Sequence, residues 1–355
     1  MSPTKIAIVG AGWRADFFLR LALLMPDHFE VVGWVARNPE KFGKYPVPTY
    51  LNVGDLLLKE KPEFVISAVT WAANPEIVID LVNAGIPVLS ETPPAPDGDS
   101  LRKLWASVGS KDLVQVAEQY MRLPMHAARL AATEHGEIGE VTSVQVSSTH
   151  GYHAISMMRT FLQAGFGPSE IRATSFTAPL VDPLKRGKWN KDLTPKPAQT
   201  FLATIDFEEG KSGLYDFTDN QWHNQLRHRR IVIRGSRGEI VDNDLIHLAS
   251  PTAITTSTFN RYQHGHDLNL DGHDTEHISF NGKVIYSNPF VGLRLMDEEI
   301  AIATMMVEMA EWVHGSGPAP YPLAEACQDH LISLAIDESL TKEIAIKTGN
   351  EAWGS

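Results

Sequence analysis

The 355 residues of this chain predict an α/β protein of two domains: a doubly wound parallel sheet, then an α+β domain on an open, mostly antiparallel sheet. Three observations predict it. An apolar β-type run, Ile6-Ala7-Ile8-Val9, leads straight into the G-x-G-x-x-A turn Gly10-Ala11-Gly12-Trp13-Arg14-Ala15. Strand-like and helix-like segments then alternate as far as residue 122. Beyond it the apolar residues recur at every second position, the mark of antiparallel strands. The length exceeds one ordinary domain, so the expected division is 1–122 and 123–355.

Taken in order, the first strand ends in a turn suited to a dinucleotide. Gly10 permits a tight strand-to-helix reversal, Gly12 lets the backbone approach a pyrophosphate, and Ala15 lets the helix pack close on the strand. The N–H groups of Ala11, Gly12, Trp13 and Arg14, with the positive end of the helix dipole, then hold the anion. Asp16–Leu24 reads as the helix, ended by Pro26-Asp27. Phe29–Ala36 is the second buried strand, and its end is where a ribose-reading residue belongs. Ala36-Arg37-Asn38 stands there without a carboxylate, which tilts the cofactor from NAD towards NADP, with Arg37 pairing a 2′-phosphate or stacking on adenine. Glu63–Val69 is a near-continuous apolar run, as for a parallel strand covered on both faces. Pro75–Ala84 is helical and is capped by Gly85; Pro87–Ser90 and Leu113–Ala117 are further strands. Ligands of such sheets bind beyond the carboxyl ends of the strands, where Thr70, Glu91, Thr92 and Tyr120 fall.

In the second half, Val141–Thr149, Ala198–Phe207, Gly213–Thr218 and Arg230–Arg234 alternate as strands, with turn signals at Glu209-Gly210 and Gly235-Ser236-Arg237-Gly238. Helical periodicity marks 153–162, 297–313 and 324–343. The polar, Pro- and Gly-rich stretches 180–200 and 251–276 read as long loops lining a cleft.

Composition narrows the function. A net charge of −12 argues against nucleic acid or an anionic membrane as partner. Cys327 is the only cysteine, which excludes a disulfide framework and a cysteine zinc site; it reads as a small buried hydrophobe. The first strand begins at residue 5 and no apolar run reaches membrane-spanning length, so the expected location is cytoplasmic. His264, His266, His273 and His277 have spacings a metal can use, but off a helix these do not bring the rings together. Their expected role, with Asp271 and Asp274, is to line a loop or meet sugar hydroxyls, with no metal. Near Asp219 and Gln221, Trp222 reads equally as a platform for a sugar ring or as core. The basic run Arg227-His228-Arg229-Arg230 reads as a solvated strand edge, and Arg159 as a structural ion pair.

Several strings resemble the glucose–fructose oxidoreductase / inositol dehydrogenase / MocA (Gfo/Idh/MocA) family along nearly the whole chain. They are Gly10-Ala11-Gly12, Gly85-Ile86-Pro87-Val88-Leu89-Ser90-Glu91-Thr92-Pro93, Gly136-Glu137-Ile138-Gly139-Glu140-Val141 and Gly151-Tyr152-His153-Ala154-Ile155-Ser156-Met157-Met158-Arg159. The resemblance implies an NAD(P)-dependent oxidoreductase that removes hydride from a hydroxyl-bearing carbon of a sugar, sugar derivative or cyclitol, working as a homodimer or homotetramer. It makes His153 the acid/base, Tyr152 or Tyr120 a second proton carrier, and Thr70, Glu91 and Thr92 neighbours of the nicotinamide ribose. Thr149, His150, Trp222 and His223 become the candidate substrate contacts.

Two departures stand out. Thr92 occupies the place of the family's lysine, and Thr149 that of an aspartate four residues before the motif histidine. A threonine brings no charge to a developing alkoxide, a loss on the order of 3 kcal/mol unless replaced. Lysine-lacking relatives include NAD-dependent glycosidases, which Glu91-Thr92-Pro93-Pro94-Ala95 resembles. These oxidise C3, eliminate the aglycone, add water and return the hydride. That redox-neutral cycle is the alternative reading, and a cofactor-binding protein without catalysis is a third.

Overall fold

The computed structural model describes residues 2–38, 40, 43–185, 187–265 and 272–354. It forms two compact units. The first comprises 1–123, 263–275 and 288–327; the second comprises 124–262, 276–287 and 328–355. Residues 263–275 and 288–327, placed by sequence beyond the division at 122/123, thus cluster with the first unit.

Through residue 116 the elements are β1 (Thr4–Val9), α1 (Trp13–Leu24), β2 (Phe29–Val35), β3 (Thr49–Tyr50), α2 (Val53–Lys59), β4 (Phe64–Ser67), α3 (Asn74–Asn83), β5 (Val88–Ser90), α4 (Gly98–Val108) and β6 (Val114–Val116). The strands form one parallel sheet in the order β3-β2-β1-β4-β5-β6, the doubly wound arrangement. All four residues of β4 are buried, which explains why Phe64, Val65 and Ile66 run apolar without alternation, while Ser67 at its end bonds the buried Asn74. Ile6, Ile8, Phe64, Ile66 and Leu89 share a core with Phe18, Leu19 and Leu21 of α1. Each such side chain contributes about 1.5–3 kcal/mol by leaving water. Asn52 and Asp97 cap α2 and α4 through their side-chain oxygens, which accept from the backbone N–H groups of Asp55 and Ser100.

The chain continues with α5 (Pro124–Glu134), β7 (Val141–Ser147), α6 (Gly151–Leu162), β8 (Glu170–Leu180), β9 (Leu184–Lys185), β10 (Lys188–Trp189), β11 (Lys196–Asp206), β12 (Ser212–Thr218), β13 (Arg230–Gly235), β14 (Gly238–Val241), β15 (Asp244–Ser250), β16 (Ala253–Thr258), β17 (Asn260–His264), β18 (Asp274–Phe280), β19 (Lys283–Ser287), α7 (Asp297–Val313), α8 (Leu323–Lys342) and β20 (Ile346–Lys347). Helix α7 adds Ile300, Met306 and Met309 to the first unit's core. A nine-stranded sheet runs β16-β15-β14-β13-β7-β12-β11-β8-β20, antiparallel throughout except for the parallel β7–β12 pair.

Alternation along these strands sorts two faces. Val144, Val146, Tyr215, Phe217, Ile231 and Ile233 are buried on one. Register places Val241, Val232, Gln145, Leu214 and Thr204 in a row on the other, with Asp216, Leu202 and Thr174 in the next. Phe176, 52% exposed, also lies on that open face, as does Leu202.

The expectation of long loops at 180–200 and 251–276 is corrected. Pairing of β8 with β11 begins at Leu180 opposite Lys196, and β9 and β10 make a short hairpin within the first stretch. The second stretch contains β16, β17 and the start of β18. Its Thr-Thr-Ser-Thr run is polar because β16 is an edge strand with mostly exposed or half-buried residues, while β-branched threonine still suits extended backbone.

Arg159 of α6 makes a buried ion pair with Asp329 at 2.7 Å and also donates to the carbonyls of Ala164 and Gly165. Removing one member strands the other's charge away from water. Arg159→Met is expected to lower unfolding stability by about 3–5 kcal/mol, and Arg159→Met with Asp329→Leu by less, in denaturant unfolding. A single-variant loss below about 1 kcal/mol contradicts this.

Candidate active site

In the first unit, the turn after β1 is set by backbone geometry. Gly10 has φ +130°, and a Cβ there would stand 2.1 Å from the Ala68 carbonyl oxygen, so only glycine fits. The Gly10 carbonyl accepts from Trp34 Nε1 at 2.7 Å, and its N–H donates to Val35 O at 3.1 Å. These bonds fasten the turn to β2. Gly12 caps α1 in an extended conformation with no side chain over the helix start, and a Cβ on it would meet nothing within 4 Å. The cradle therefore suits the pyrophosphate of a dinucleotide: open space, helix N–H groups and the positive dipole end.

Around it, Ala11 is half-buried and Trp13 is 54% exposed. Arg14, which the sequence reading used for its backbone alone, has a side chain bound to two carboxylates. Its Nε donates to Glu91 Oε1 at 2.5 Å and an Nη to Glu298 Oε1 at 2.9 Å. Burial works against the guanidinium charge, but Glu91 and Glu298 outweigh it and raise the Arg14 pKa. That cation is thus already matched by two anions and does not stand in for the lysine absent at 92. The Glu91 carboxylate also accepts from the Thr92 N–H at 3.1 Å, and the Thr92–Pro93 peptide is cis.

Asn74, unnoticed in the sequence, ties the strand ends together. It is buried, accepts from Ser67 Oγ, and donates to Ser90 Oγ and Pro94 O, each at 2.8 Å. The ends of β4 and β5 and the Glu91–Pro94 segment are thereby held by one side chain. Thr70 is exposed, its carbonyl accepting from Ala73 and Asn74. Arg37 is exposed after β2. Tyr120 opens a single 3₁₀ turn, Tyr120–Arg122, and its N–H donates to Glu118 Oε1 at 3.1 Å.

In the second unit, the loop after β7 carries fully buried Thr149 and exposed His150, the N-cap of α6. His153 lies half-buried on the first turn. Tyr152 is buried, its ring edge-on to His153 at 5.2 Å and to His330 at 5.8 Å. Desolvation, then the neighbouring His153, hold the His150 pKa below its ordinary value. The His150 ring faces Phe217 at 5.5 Å and Trp222 at 6.2 Å. Trp222 is 40% exposed, so it is no core residue, and His223 meets it edge-on at 4.2 Å. Tyr152, His150, His153, Trp222 and His223 thus gather in one unit.

Other flagged residues are structural or solvent-facing. Gln221 is buried, bonding Thr218 N, Ser147 O and His228 O, and Asp219 accepts from Gln199 N. Arg227–Arg230 are exposed, with Arg230 paired to Asp216. Cys327 is buried. Asp274 accepts from Gly292 N, His264 is buried, His273 is exposed, and His277 stacks on Tyr262. His266 and Asp271 lie outside the described residues. Among the described residues no group of three or more His, Cys, Asp or Glu is placed to hold a metal ion, and no helix is long and apolar enough to cross a membrane.

The profile of an oxidoreductase family with an NAD-binding Rossmann fold (GFO_IDH_MocA) matches residues 4–119. An uncharacterized oxidoreductase of Schizosaccharomyces pombe is 29% identical over 41% of this chain, and an uncharacterized protein of Saccharomyces cerevisiae is 30% identical over 42%. The matches span 42% and 45% of those relatives' own lengths. Among solved structures, levoglucosan dehydrogenase in complex with NADH and levoglucosan superposes with TM-score 0.70 at 19% identity, covering 97% of this chain and 99% of that one. At that identity the likeness is one of fold.

Two outcomes follow from this geometry. Gly12→Ala should leave the melting temperature of the protein without cofactor unchanged while weakening NAD(P)H binding at least about tenfold, since the methyl enters only the anion's space. Unchanged affinity by fluorescence titration contradicts the cradle. Histidine NMR titration should find the His150 pKa below that of an ordinary imidazole, and His153→Ala should move it upward by removing the like charge. A downward or absent movement contradicts that cause.

Proposed function

We propose that this chain, whose residues 4–119 match the profile of the GFO_IDH_MocA oxidoreductase family, oxidises a ring hydroxyl of a sugar, sugar derivative or cyclitol by hydride transfer to NAD(P). The observation that carries the reading is the open anion cradle at Gly12, fastened by Gly10. Ala11, Gly12, Trp13 and Arg14 hold the pyrophosphate through their backbone, and Thr70, Glu91 and Thr92 lie along the nicotinamide ribose. Arg37 at the end of β2, with no carboxylate at residues 36–38, favours NADP over NAD.

His153 is the base that takes the hydroxyl proton. Nicotinamide, when bound, accepts the hydride from the same carbon. The surroundings of His150 lower its pKa and so favour its neutral, hydrogen-bond-accepting form beside that base. Tyr152, against both His153 and His330, or Tyr120 is the second proton carrier. Thr149, His150, Trp222 and His223 form the substrate side, of which Thr149 contributes by packing. A sugar as substrate accords with the fold shared with levoglucosan dehydrogenase. The open sheet face with Phe176 and Leu202 is the surface through which two or four copies assemble.

The redox-neutral glycosidase is the second reading. Favouring it are the absence of lysine at 92 and the engagement of Arg14 by Glu91 and Glu298, which leave no evident side-chain cation for the alkoxide in the first unit's loop.

His153→Ala is expected to lower kcat by roughly 10²–10⁴-fold, the usual share of a general base, with cofactor affinity within about twofold. Steady-state kinetics on a panel of glycosides and free sugars with NAD and NADP measures it. Full activity in the variant overturns the assignment of His153.

A further inference from the structure

Asp182 played no part in the sequence reading, yet it is the residue that organises the turn after β12. Asn220, in the left-handed region at φ +60°, reverses the chain there, and the N–H groups of His223 and Asn224 both donate to its carbonyl. Its side-chain Nδ2 donates to Asp182 Oδ2 at 3.0 Å. That bond turns Oδ1 towards His223 Nε2 at 3.5 Å, beyond the range of a good N–H···O bond. Asp182 Oδ1 and His223 Nδ1 are both buried, and neither has a hydrogen-bond partner among the described residues. Buried polar atoms in folded proteins nearly always find partners, so two orphans at one place indicate that something else supplies them.

Beside them is Trp222, 40% exposed, its indole held edge-on by the His223 ring. A flat apolar ring next to orphaned polar atoms is the chemistry that recognises a polyhydroxylated ring: C–H face on indole, hydroxyls on the imidazole and carboxylate. The carboxylate selects against an acidic ligand, which it would repel. Trp222 in turn faces His150, the neighbour of His153.

We infer that Asp182, His223 and Trp222 form a second hydroxyl-binding subsite for a neutral polyol, which grips a hydroxyl other than the one deprotonated at His153. The inference rests on the proposed sugar-oxidising reading for the identity of its ligand. Asp182 Oδ1 accepts from a ring hydroxyl, His223 bonds the same or the adjacent hydroxyl, and Trp222 carries the ring. Such a subsite orients the ring relative to His153 without touching the reacting hydroxyl, and a substrate must then offer at least two hydroxyls.

Binding of levoglucosan, myo-inositol, D-glucose and D-gluconate to the full chain saturated with NADPH or NADH tests it, by calorimetry, alongside kinetics with the oxidised cofactors. The expected result is that a neutral polyol binds, gluconate binds more weakly than glucose, and Asp182→Ala, His223→Ala and Trp222→Ala each weaken binding about tenfold or more. KM should rise in step while kcat falls less, and cofactor affinity should match the parent. The subsite is overturned if no neutral polyol binds the parent chain. Equal polyol affinity or KM in the parent and the Asp182 and His223 variants also overturns it, even where a polyol is oxidised. Polyol binding that is lost in these variants, without oxidation of any polyol, sustains the subsite and overturns the proposed reaction instead.

Discussion

Everything in the first unit's ligand-facing edge depends on one backbone approach, that of Gly10 to the Ala68 carbonyl. With a hydrogen in place of Cβ, β1 can reverse into α1 against the end of β4. With any larger side chain the two backbones would overlap, and α1 would have to tilt away from the sheet. The Trp34 indole, reaching from β2 to the Gly10 carbonyl, locks the turn in place. Because that tryptophan is itself fully buried, core packing and site geometry are a single constraint. The open helix start at Gly12 follows from it, as does the proximity of Arg14 to Glu91.

A second anchor holds the neighbouring strand ends. Asn74 satisfies Ser67, Ser90 and the Pro94 carbonyl together, so the segment carrying Glu91 and Thr92 is held from beneath. Losing one member of such a buried network leaves its partners unsatisfied, at about 1–3 kcal/mol for each orphan. Such preorganisation matters for a site that must align a cofactor with substrate. Lysine is absent from that segment, and Arg14 does not replace it, since two carboxylates already engage it. In the second unit the chemistry gathers around imidazoles, with His150 and His153 at the start of α6 and His223 beside Trp222.

How much of this was legible follows from how local each signal is. The Gly10–Ala15 turn, the apolar run of β4 and the helix of α3 with Gly85 behind it are written in contiguous residues, and each appears where the sequence puts it. The strands at 253–258 and 260–264 carry no hydrophobic period, because solvent-facing Thr and Ser fill most of the first and Asn, Arg and Gln most of the second. Trp222 could not be assigned to core or surface from its neighbours, since exposure depends on distant chain. Arg14–Glu298 spans 284 positions, and Asp182–His223 joins residues on different strands' ends. Asn74 looks in sequence like any polar residue before a helix. Ion pairs and polar hubs of this kind depend on the third dimension, and no spacing rule announces them.

The central claim is that this chain moves hydride from a sugar hydroxyl to NAD(P) as a net reaction. One incubation in D₂O tests it most directly, with catalytic and then stoichiometric NAD(P)⁺ and a mixed panel of glycosides and free sugars. Absorbance at the reduced-nicotinamide band is followed together with NMR of aglycone release and C2 deuteration. The account predicts reduced cofactor in proportion to sugar consumed, with no aglycone released. Aglycone release with deuterium at C2 and no net reduction would contradict it and make the chain a redox-neutral glycosidase.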